Sequence, residues 1–201
     1  MSTILIAKST EEAQAARCKP DIVLCPQDPG IEGAEWFPTT LFIGTLFKPC
    51  GEWIPEAHDR KTRHVARIQT LALALGLERS SDEPLLILSA DVTPPSGWEK
   101  RLKDGLTDKI GMVAGIVPTG YDKGVKAWHI DGSLATTEDD LGVTLLEVQC
   151  AALDCCAVSV AAARAIGSLT GDDLTEMEIG RKLALAGLSI TINPLVRCLH
   201  G

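Results

Sequence analysis

The sequence predicts an α/β protein built on a mostly parallel sheet, and three observations support this fold class. The chain opens with an apolar segment (3–7), an alanine-rich segment and a second apolar segment (21–25), an order that favours a parallel β-α-β unit. Residues 85–88, Leu-Leu-Ile-Leu, form an aliphatic run typical of a strand buried on both faces. Strand-like and helix-like segments then alternate to the end of the chain.

Composition limits the size of the protein and its partners. The chain has 201 residues and 45% hydrophobic content, enough for one domain with a large core, whereas two full domains would be cramped. The net charge of -8 argues against a global basic field for nucleic acid, although a local basic groove stays open. Seven cysteines without a CxxC pair indicate reduced thiols in a cytoplasm-like compartment. No uncharged apolar run reaches about 18 residues, so no membrane span is expected.

Two helices are predicted in the first half of the chain. Ser9 with Glu12 forms a capping-box pattern, and the helix that follows should end near Pro20. Residues 26–55 lack a clean period and are expected to be irregular, with a short strand at 40–46. Helical spacing returns at 62–76, where Gly76 suits the C-terminal cap. The first turns of that helix carry cations that form either a solvated face or a phosphate clamp: Arg60, Lys61, Arg63, His64 and Arg67.

Asp91 follows the buried strand within three residues, and Pro94-Pro95 then end the strand. A carboxylate cannot lie unpaired inside an apolar strand, because burial of an unpaired charge costs many kcal/mol. Asp91 is therefore expected at the carboxyl end of a central strand, where open α/β sheets bind their ligands. The alternative is that Asp91 only caps a turn before the prolines.

The second half of the chain contains further elements in the same alternation. Ser96 and Glu99 predict a second capping box and a helix toward Gly105, and 111–117 reads as a buried strand. The polar residues 121–142 predict a long loop or an edge hairpin, and long loops in compact domains are often functional. The remaining expectations are a helix from Ser159 to Gly167, a helix at 174–186, a strand at 188–192 and a turn at Asn193-Pro194.

Three motifs occur together in one order. The first is the segment 86–98, Leu-Ile-Leu-Ser-Ala-Asp-Val-Thr-Pro-Pro-Ser-Gly-Trp. The second is 155–159, Cys-Cys-Ala-Val-Ser, leading to Ile166-Gly167, and the third is the acidic segment 174–183 followed by Ala186-Gly187. With a terminal His200, this set resembles the GT-A-fold glycosyltransferases of the large family 2 type over about residues 60–200.

The resemblance implies a three-layer α/β/α fold with a mostly parallel mixed sheet, and a nucleoside-diphosphate sugar as donor. Asp91, beside Ala90, matches the second acid of the family's DxD motif, while Ser89 stands in place of the first acid. The resemblance implies that Asp91 holds Mn²⁺ or Mg²⁺, and His200 would add a nitrogen ligand that favours Mn²⁺. The general base would be Glu176 or Glu178, and only one of them can face the cleft because they point about 200° apart on a helix.

Further residues are candidates for contacts with the donor and the acceptor. Lys61, Arg63 and Arg67 could hold the diphosphate through charge-assisted hydrogen bonds. Asp28, after the second strand, is a poor match to the family's nucleotide-contacting acid. The acceptor candidates, for which ordinary packing is the alternative, are Trp98, Trp128 and His129.

Other functions are compatible with the same residues. The acceptor could be a saccharide, lipid or protein hydroxyl, or a hydroxymethylated pyrimidine in DNA, as in virus-encoded transferases. A non-catalytic binding or assembly protein with a degenerate fold is also open, because the first DxD acid is replaced and the amino-terminal half is short. A sugar-phosphate nucleotidyltransferase is disfavoured, since residues 7–11 (Ala-Lys-Ser-Thr-Glu) lack a glycine-rich phosphate loop.

Overall fold

The computed structural model describes residues 2–39, 55–118, 124–129, 131–136 and 142–200. The helices are α1 (Thr10–Ala15), α2 (Pro55–Arg79), α3 (Trp98–Lys103), α4 (Val160–Ile166) and α5 (Thr175–Leu185). The first six strands are β1 (Ser2–Ile6), β2 (Ile22–Cys25), β3 (Glu35–Pro38), β4 (Leu85–Ser89), β5 (Val92–Thr93) and β6 (Ile110–Ile116). The other six are β7 (Ala127–Trp128), β8 (Leu146–Val148), β9 (Cys150–Ala151), β10 (Cys155–Val158), β11 (Ser189–Arg197) and β12 (Leu199–His200).

The central sheet of the described residues has eight strands in the order β3-β2-β1-β4-β10-β6-β11-β8. Four neighbouring pairs are parallel and three are antiparallel. The strand β10 lies between β4 and β6 and runs against both, which makes the sheet mixed. Two small ribbons, β5 with β12 and β7 with β9, lie outside the central sheet. The predicted α/β class with a mostly parallel mixed sheet is confirmed.

The strand β4 lies at the centre of the sheet and separates two cores. Leu85 and Ile87 face one core, into which α2, α4 and α5 pack, whereas Leu86 and Leu88 face the other, into which α1 and α3 pack. All four side chains are fully buried, and burial of each contributes roughly 1.5–3 kcal/mol. Both faces of β4 are therefore buried, which is why each of these four positions carries an aliphatic side chain. The three-layer arrangement is confirmed.

The helix α2 extends three residues past the predicted cap at Gly76, to Arg79. Gly76 is inside the helix because the helix packs closely on the sheet at this point. A Cβ at residue 76 would lie 2.8 Å from Cδ1 of Leu85 and 2.9 Å from Cδ1 of Ile4. The glycine allows close approach between helix and sheet and does not end the helix, so the predicted C-terminal cap is wrong.

Two further local predictions are wrong and one lies outside the described residues. The cap of α3 is Gly97, with φ 71°, and Ser96 makes no capping bond. The strand β11 continues through Asn193 and Pro194, with a shift of register toward Arg197, where a turn was expected. The strand β3 was not expected, and the predicted strand at 40–46 lies outside the described residues. By contrast, Ser9 caps α1 as predicted and accepts the backbone N–H of Glu12. The helix expected after Ser159 is confirmed, and Ser159 caps it by accepting the backbone N–H of Ala162.

Candidate functional site

A cavity of about 440 Å³ opens at the carboxyl ends of the parallel strands β1 and β4. Its walls come from α2, from the start of α5, from residues 126–128 and from the segment before β10. Apolar contacts are made by Ile6, Val65, Ile68 and Leu153. The charged lining residues are Lys8, Glu12, Lys61, Asp91, Lys126, Asp154 and Glu176. The cavity lies where the sequence analysis expects a ligand.

Asp91 lines the cavity just beyond the end of β4, as predicted. Its Oδ2 lies 2.5 Å from Nζ of Lys8, a residue that follows β1. The hydrogen bond to Asp91 raises the pKa of Lys8 and outweighs the opposing effect of partial burial, so the ammonium stays charged at neutral pH. The backbone N–H of Ala90 donates to the carbonyl of Ile6 at 2.8 Å, which ties the residues after β4 to β1.

A second lysine–carboxylate pair lies in the same cavity. Nζ of Lys126 is 2.5 Å from Oδ2 of Asp154, and both side chains are 22% exposed. Oγ of Ser89 donates to the other carboxylate oxygen of Asp154 at 3.2 Å. The residue in place of the first DxD acid therefore directs its hydroxyl to Asp154. Asp154 and Lys126 are cavity residues that the sequence analysis missed.

Glu176 reaches the cavity from the first turn of α5. Burial raises the pKa of its carboxyl, and the nearby charge of Asp154 adds to this increase, while hydrogen bonds and Lys126 act in the opposite direction. A carboxylate with a raised pKa is a stronger base at neutral pH, and such groups concentrate at functional sites. The structure thus brings together Glu176 and Asp91, which are 85 positions apart in the sequence.

Two glycines allow the close packing that positions Glu176. A Cβ at Gly180, one turn after Glu176, would collide with the carbonyl oxygen of Gln149 and lie 2.7 Å from Sγ of Cys150. Gly171, with φ 72°, packs against α2, where its Cβ would lie 2.5 Å from Cα of Arg63. The first contact brings α5 onto β9, and the second ties the loop before α5 to α2.

Glu178 has a different environment from Glu176. Its carboxylate accepts hydrogen bonds from the backbone N–H of Thr170 at 3.0 Å and of Gly171 at 3.4 Å, and it lies 3.1 Å from Nζ of Lys182. Burial acts to raise the pKa of Glu178, but these hydrogen bonds lower it overall. Glu178 is not among the residues that line the cavity. It stabilises the loop before α5.

Only one of the three predicted donor cations on α2 lines the cavity. Lys61 lies on the same helical face as Val65 and Ile68, at spacings of four and seven residues, whereas Arg63 and Arg67 are exposed outside the lining. Lys8 was missed, because its position beside Asp91 depends on how β1 and β4 pair. Ile6 and Ser89 are register partners, so Lys8 and Asp91 each follow a paired position by two residues.

The middle of α2 carries a buried polar side chain that faces the cavity. Gln69 lines the cavity and is 7% exposed, and its Oε1 has no hydrogen-bond partner among the described residues. An unsatisfied buried amide is costly, so such a group in a cavity is suited to hydrogen bonding with a ligand.

The structure places the remaining predicted contacts in different positions. Trp128 lines the cavity, while Trp98 is 2% exposed and packs in the core on the α1 and α3 side of the sheet. His129 is exposed and outside the lining. Asp28 is exposed and accepts a hydrogen bond from the backbone N–H of Gly30 at 2.9 Å, which forms a local turn. The roles of these residues remain predictions.

The backbone of His200 returns to the neighbourhood of Asp91. The strand β12 pairs with β5, and His200 lies opposite Val92, the residue after Asp91. The side chain of His200 lies outside the described residues. Among the side chains that are described, no group of three or more His, Cys, Asp or Glu residues could hold a metal ion. The described residues therefore form no all-protein ligand set for Mn²⁺ or Mg²⁺, and Asp91, the carboxylate just after β4, is engaged by Lys8.

Comparison with known proteins gives a likeness of fold. No protein-family model matches the chain, and no curated protein matches it. The crystal structure of A197 from STIV superposes with a TM-score of 0.58 at 12% identity, over 100% of this chain and 86% of that one. The structure of GalNAc-T7 with UDP, GalNAc and Mn²⁺ superposes with a TM-score of 0.59 at 11% identity, over 100% of this chain. The fold is GT-A-like.

The extent of this likeness differs between the two structures. The chain spans only 43% of the GalNAc-T7 chain, whose structure holds a nucleotide, a sugar and a metal. At such low identity the likeness concerns the fold alone, and activity has to be argued from the cavity. Within the part of the chain that the structure describes, no helix combines the length and the apolar character needed to span a bilayer.

Proposed function

We propose that this protein is a glycosyltransferase that moves a sugar from a nucleoside-diphosphate sugar to an acceptor hydroxyl. The observation that carries the proposal is the convergence of Asp91, Glu176 and Lys61 on one cavity at the carboxyl ends of β1 and β4. These residues come from three distant parts of the sequence, and each has a separate predicted role. The GalNAc-T7 structure, to which this fold is similar, contains UDP and GalNAc, which supports this class of donor.

The cavity supplies the groups that such a transfer requires. The acceptor oxygen forms a bond to the anomeric carbon, the bond from that carbon to the β-phosphate oxygen breaks, and the electron pair leaves with the nucleoside diphosphate. Glu176 accepts the proton of the acceptor hydroxyl. Its raised pKa suits this role, because a general base works best when its pKa lies near the working pH. A cavity of about 440 Å³ is within the ordinary range for small-molecule sites.

The departing diphosphate gains negative charge, which cationic groups must stabilise. Mn²⁺ or Mg²⁺, implied by the family resemblance, would supply that charge, but the described residues do not form a ligand set for either ion. We therefore assign the diphosphate to lysines of the cavity. Lys61 forms no ion pair with the described residues and is available to a phosphate oxygen. Arg63 and Arg67, which lie outside the cavity, have no assigned role in this proposal.

The acceptor side is assigned to the aromatic wall of the cavity. Trp128 is partly buried in the lining and offers an apolar face for a saccharide ring or a base. A saccharide, lipid or protein hydroxyl is the default acceptor, and a hydroxymethylated DNA base is less favoured because of the net charge of -8.

The described cysteines are free thiols, which supports a reducing, cytoplasm-like setting.

The test is a donor-hydrolysis and transfer screen over common nucleotide-sugars, beginning with UDP-sugars. Glu176→Gln should leave donor binding unchanged and reduce kcat by about 100- to 10,000-fold, the usual contribution of a general base. Asp91→Asn should weaken donor binding, because Asp91 holds Lys8 at the diphosphate end of the cavity. Glu178→Gln is the matched control, since Glu178 lies on the same helix and outside the cavity.

A non-catalytic binding protein is the second candidate, favoured by the replacement of the first DxD acid with Ser89. Such a protein would bind a nucleotide-sugar, which would raise its melting temperature, but would release no nucleoside diphosphate. Binding with no hydrolysis or transfer for any donor and acceptor would support this alternative. Failure of every nucleotide and nucleotide-sugar to bind would contradict both.

A further inference from the structure

The carboxylate with which the family resemblance associates a metal is already paired with an ammonium group. Nζ of Lys8 lies 2.5 Å from Oδ2 of Asp91, and both residues line the cavity. The pair results from the fold, because β1 and β4 are parallel neighbours in which Ile6 and Ser89 are register partners. Lys8 and Asp91 each follow one of these partners by two positions, so both emerge at the carboxyl ends of the two strands.

The charge of Asp91, just after β4, is met by the ammonium of Lys8. The end of β4 provides only Asp91, because residue 89 is a serine whose Oγ donates to Asp154 at 3.2 Å. With serine in place of the first acid, the end of β4 therefore offers one carboxylate to a cation.

The neighbouring carboxylates are also engaged. Asp154 is paired with Lys126 at 2.5 Å, and Oε2 of Glu12 accepts the backbone N–H of Lys8 at 2.9 Å. A divalent metal is usually bound by one or two carboxylates together with waters and phosphate oxygens, so a metal bound at Asp91 would compete with Lys8 for that carboxylate. Displacement of Lys8 from Asp91 would leave the ammonium of Lys8 without this counter-charge.

We infer that this protein binds its nucleoside diphosphate without a divalent metal, with the ammonium of Lys8 in the place of the cation. The inference rests on the proposed function and specifies how its leaving group is stabilised. Lys8 keeps one N–H on Asp91 and can donate its other two to diphosphate oxygens. Lys61, across the same cavity, supplies the second positive charge. Lys8 stays protonated throughout the transfer, and the proton of the acceptor still passes to Glu176.

The test measures the binding of UDP, GDP, ADP and CDP by calorimetry, once in EDTA and once with Mn²⁺. For the nucleotide that binds, the wild-type protein should show the same Kd in both conditions. Lys8→Met should weaken binding about 10- to 100-fold, as expected for loss of a charge-assisted hydrogen bond. In the double variant Lys8→Met/Asp91→Asn both side chains are neutral, so no uncompensated carboxylate is left to repel the nucleotide. If the double variant loses as much affinity as Lys8→Met, the loss is due to the missing N–H donors of Lys8.

Controls separate local effects from misfolding and from failure of the proposed function. Lys109→Met removes an exposed lysine just before the start of β6, away from the carboxyl ends of the strands where the cavity lies. This variant should leave the Kd of the nucleotide unchanged. If Lys8→Met fails to fold, Lys8→Arg is measured in its place. Lys8→Arg keeps the charge and should retain most of the binding. Binding by the wild type only with Mn²⁺, or binding in EDTA that survives both Lys8→Met variants, overturns the inference and leaves the proposed function standing. No binding of any nucleotide in either condition overturns both.

Discussion

Gly180 is the position at which a single added methyl group tests how Glu176 is held. In the variant Gly180→Ala, the new Cβ would collide with the carbonyl oxygen of Gln149 and lie 2.7 Å from Sγ of Cys150. Overpacking of this kind costs about 1–3 kcal/mol, while the better helix propensity of alanine returns roughly 1 kcal/mol. Because one of the obstructing atoms belongs to the backbone and cannot rotate away, we expect a net loss of about 1–2 kcal/mol, or a Tm about 2–8 °C lower.

The collision at residue 180 should also shift α5 and with it Glu176, and this shift should reduce activity in a specific way. Glu176 is one turn before Gly180 on α5, whereas Asp91 and Lys61 lie on other elements. We therefore expect kcat to fall at least about tenfold with donor affinity unchanged, since small misplacements of a catalytic group are costly. Calorimetric melting and steady-state kinetics measure the two effects. The control Gly142→Ala adds a methyl group in open space and should stay within about 0.5 kcal/mol of the wild type. A Gly180→Ala protein as stable and as active as the wild type would refute the reasoning.

Four further predictions concern Glu176, Gln69 and Glu178. The wild-type profile of kcat/KM against pH should have an acidic limb above the ordinary range of a glutamate, because activity is lost as pH falls through the raised pKa of Glu176. The charged groups that share its cavity are Asp154, Lys126, Lys8, Glu12, Lys61 and Asp91. Because the pKa of Glu176 is higher in the folded protein than in the unfolded protein, stability falls as pH rises from the unfolded-state pKa through the folded-state pKa. Glu176→Gln should therefore melt above the wild type at neutral pH, and an equal Tm would contradict the burial argument. Gln69→Leu should stabilise the free protein by about 1 kcal/mol, because it removes a buried amide oxygen that has no partner among the described residues, and should weaken ligand binding. Unchanged affinity in calorimetry would exclude a contact. Glu178→Gln should lower the free energy of unfolding by about 1–2 kcal/mol at neutral pH with kcat retained, and this difference should vanish as pH falls through the lowered pKa of Glu178, which denaturant melts across pH would show.

Much of the architecture could be predicted because its causes are local. The aliphatic run of β4 permits only a position buried on both faces, and Ser9 and Ser159 carry the side-chain oxygens that begin their helices. The position of Asp91 at the carboxyl end of β4 follows from the same pattern, since a charge must leave the core where the strand ends. The placement of Glu176 in the cavity agrees with a prediction that came from the family resemblance, although its role as a base remains a proposal.

Other features depend on which elements become neighbours, and local patterns do not encode that. Lys8 meets Asp91 only because β1 and β4 pair in a particular register, and Asp154 meets Ser89 only because β10 inserts antiparallel beside β4. Gly76 reads locally as the end of a helix, yet the sheet beneath α2 requires a residue without a side chain at that point. The sequence by itself determined the buried strands β1, β2, β4 and β6, the start of α1 and the carboxylate at the carboxyl end of β4. The tertiary structure decided the charge pairs of the cavity, because a hydrogen bond or an ion pair depends on distance in space and not on separation along the chain.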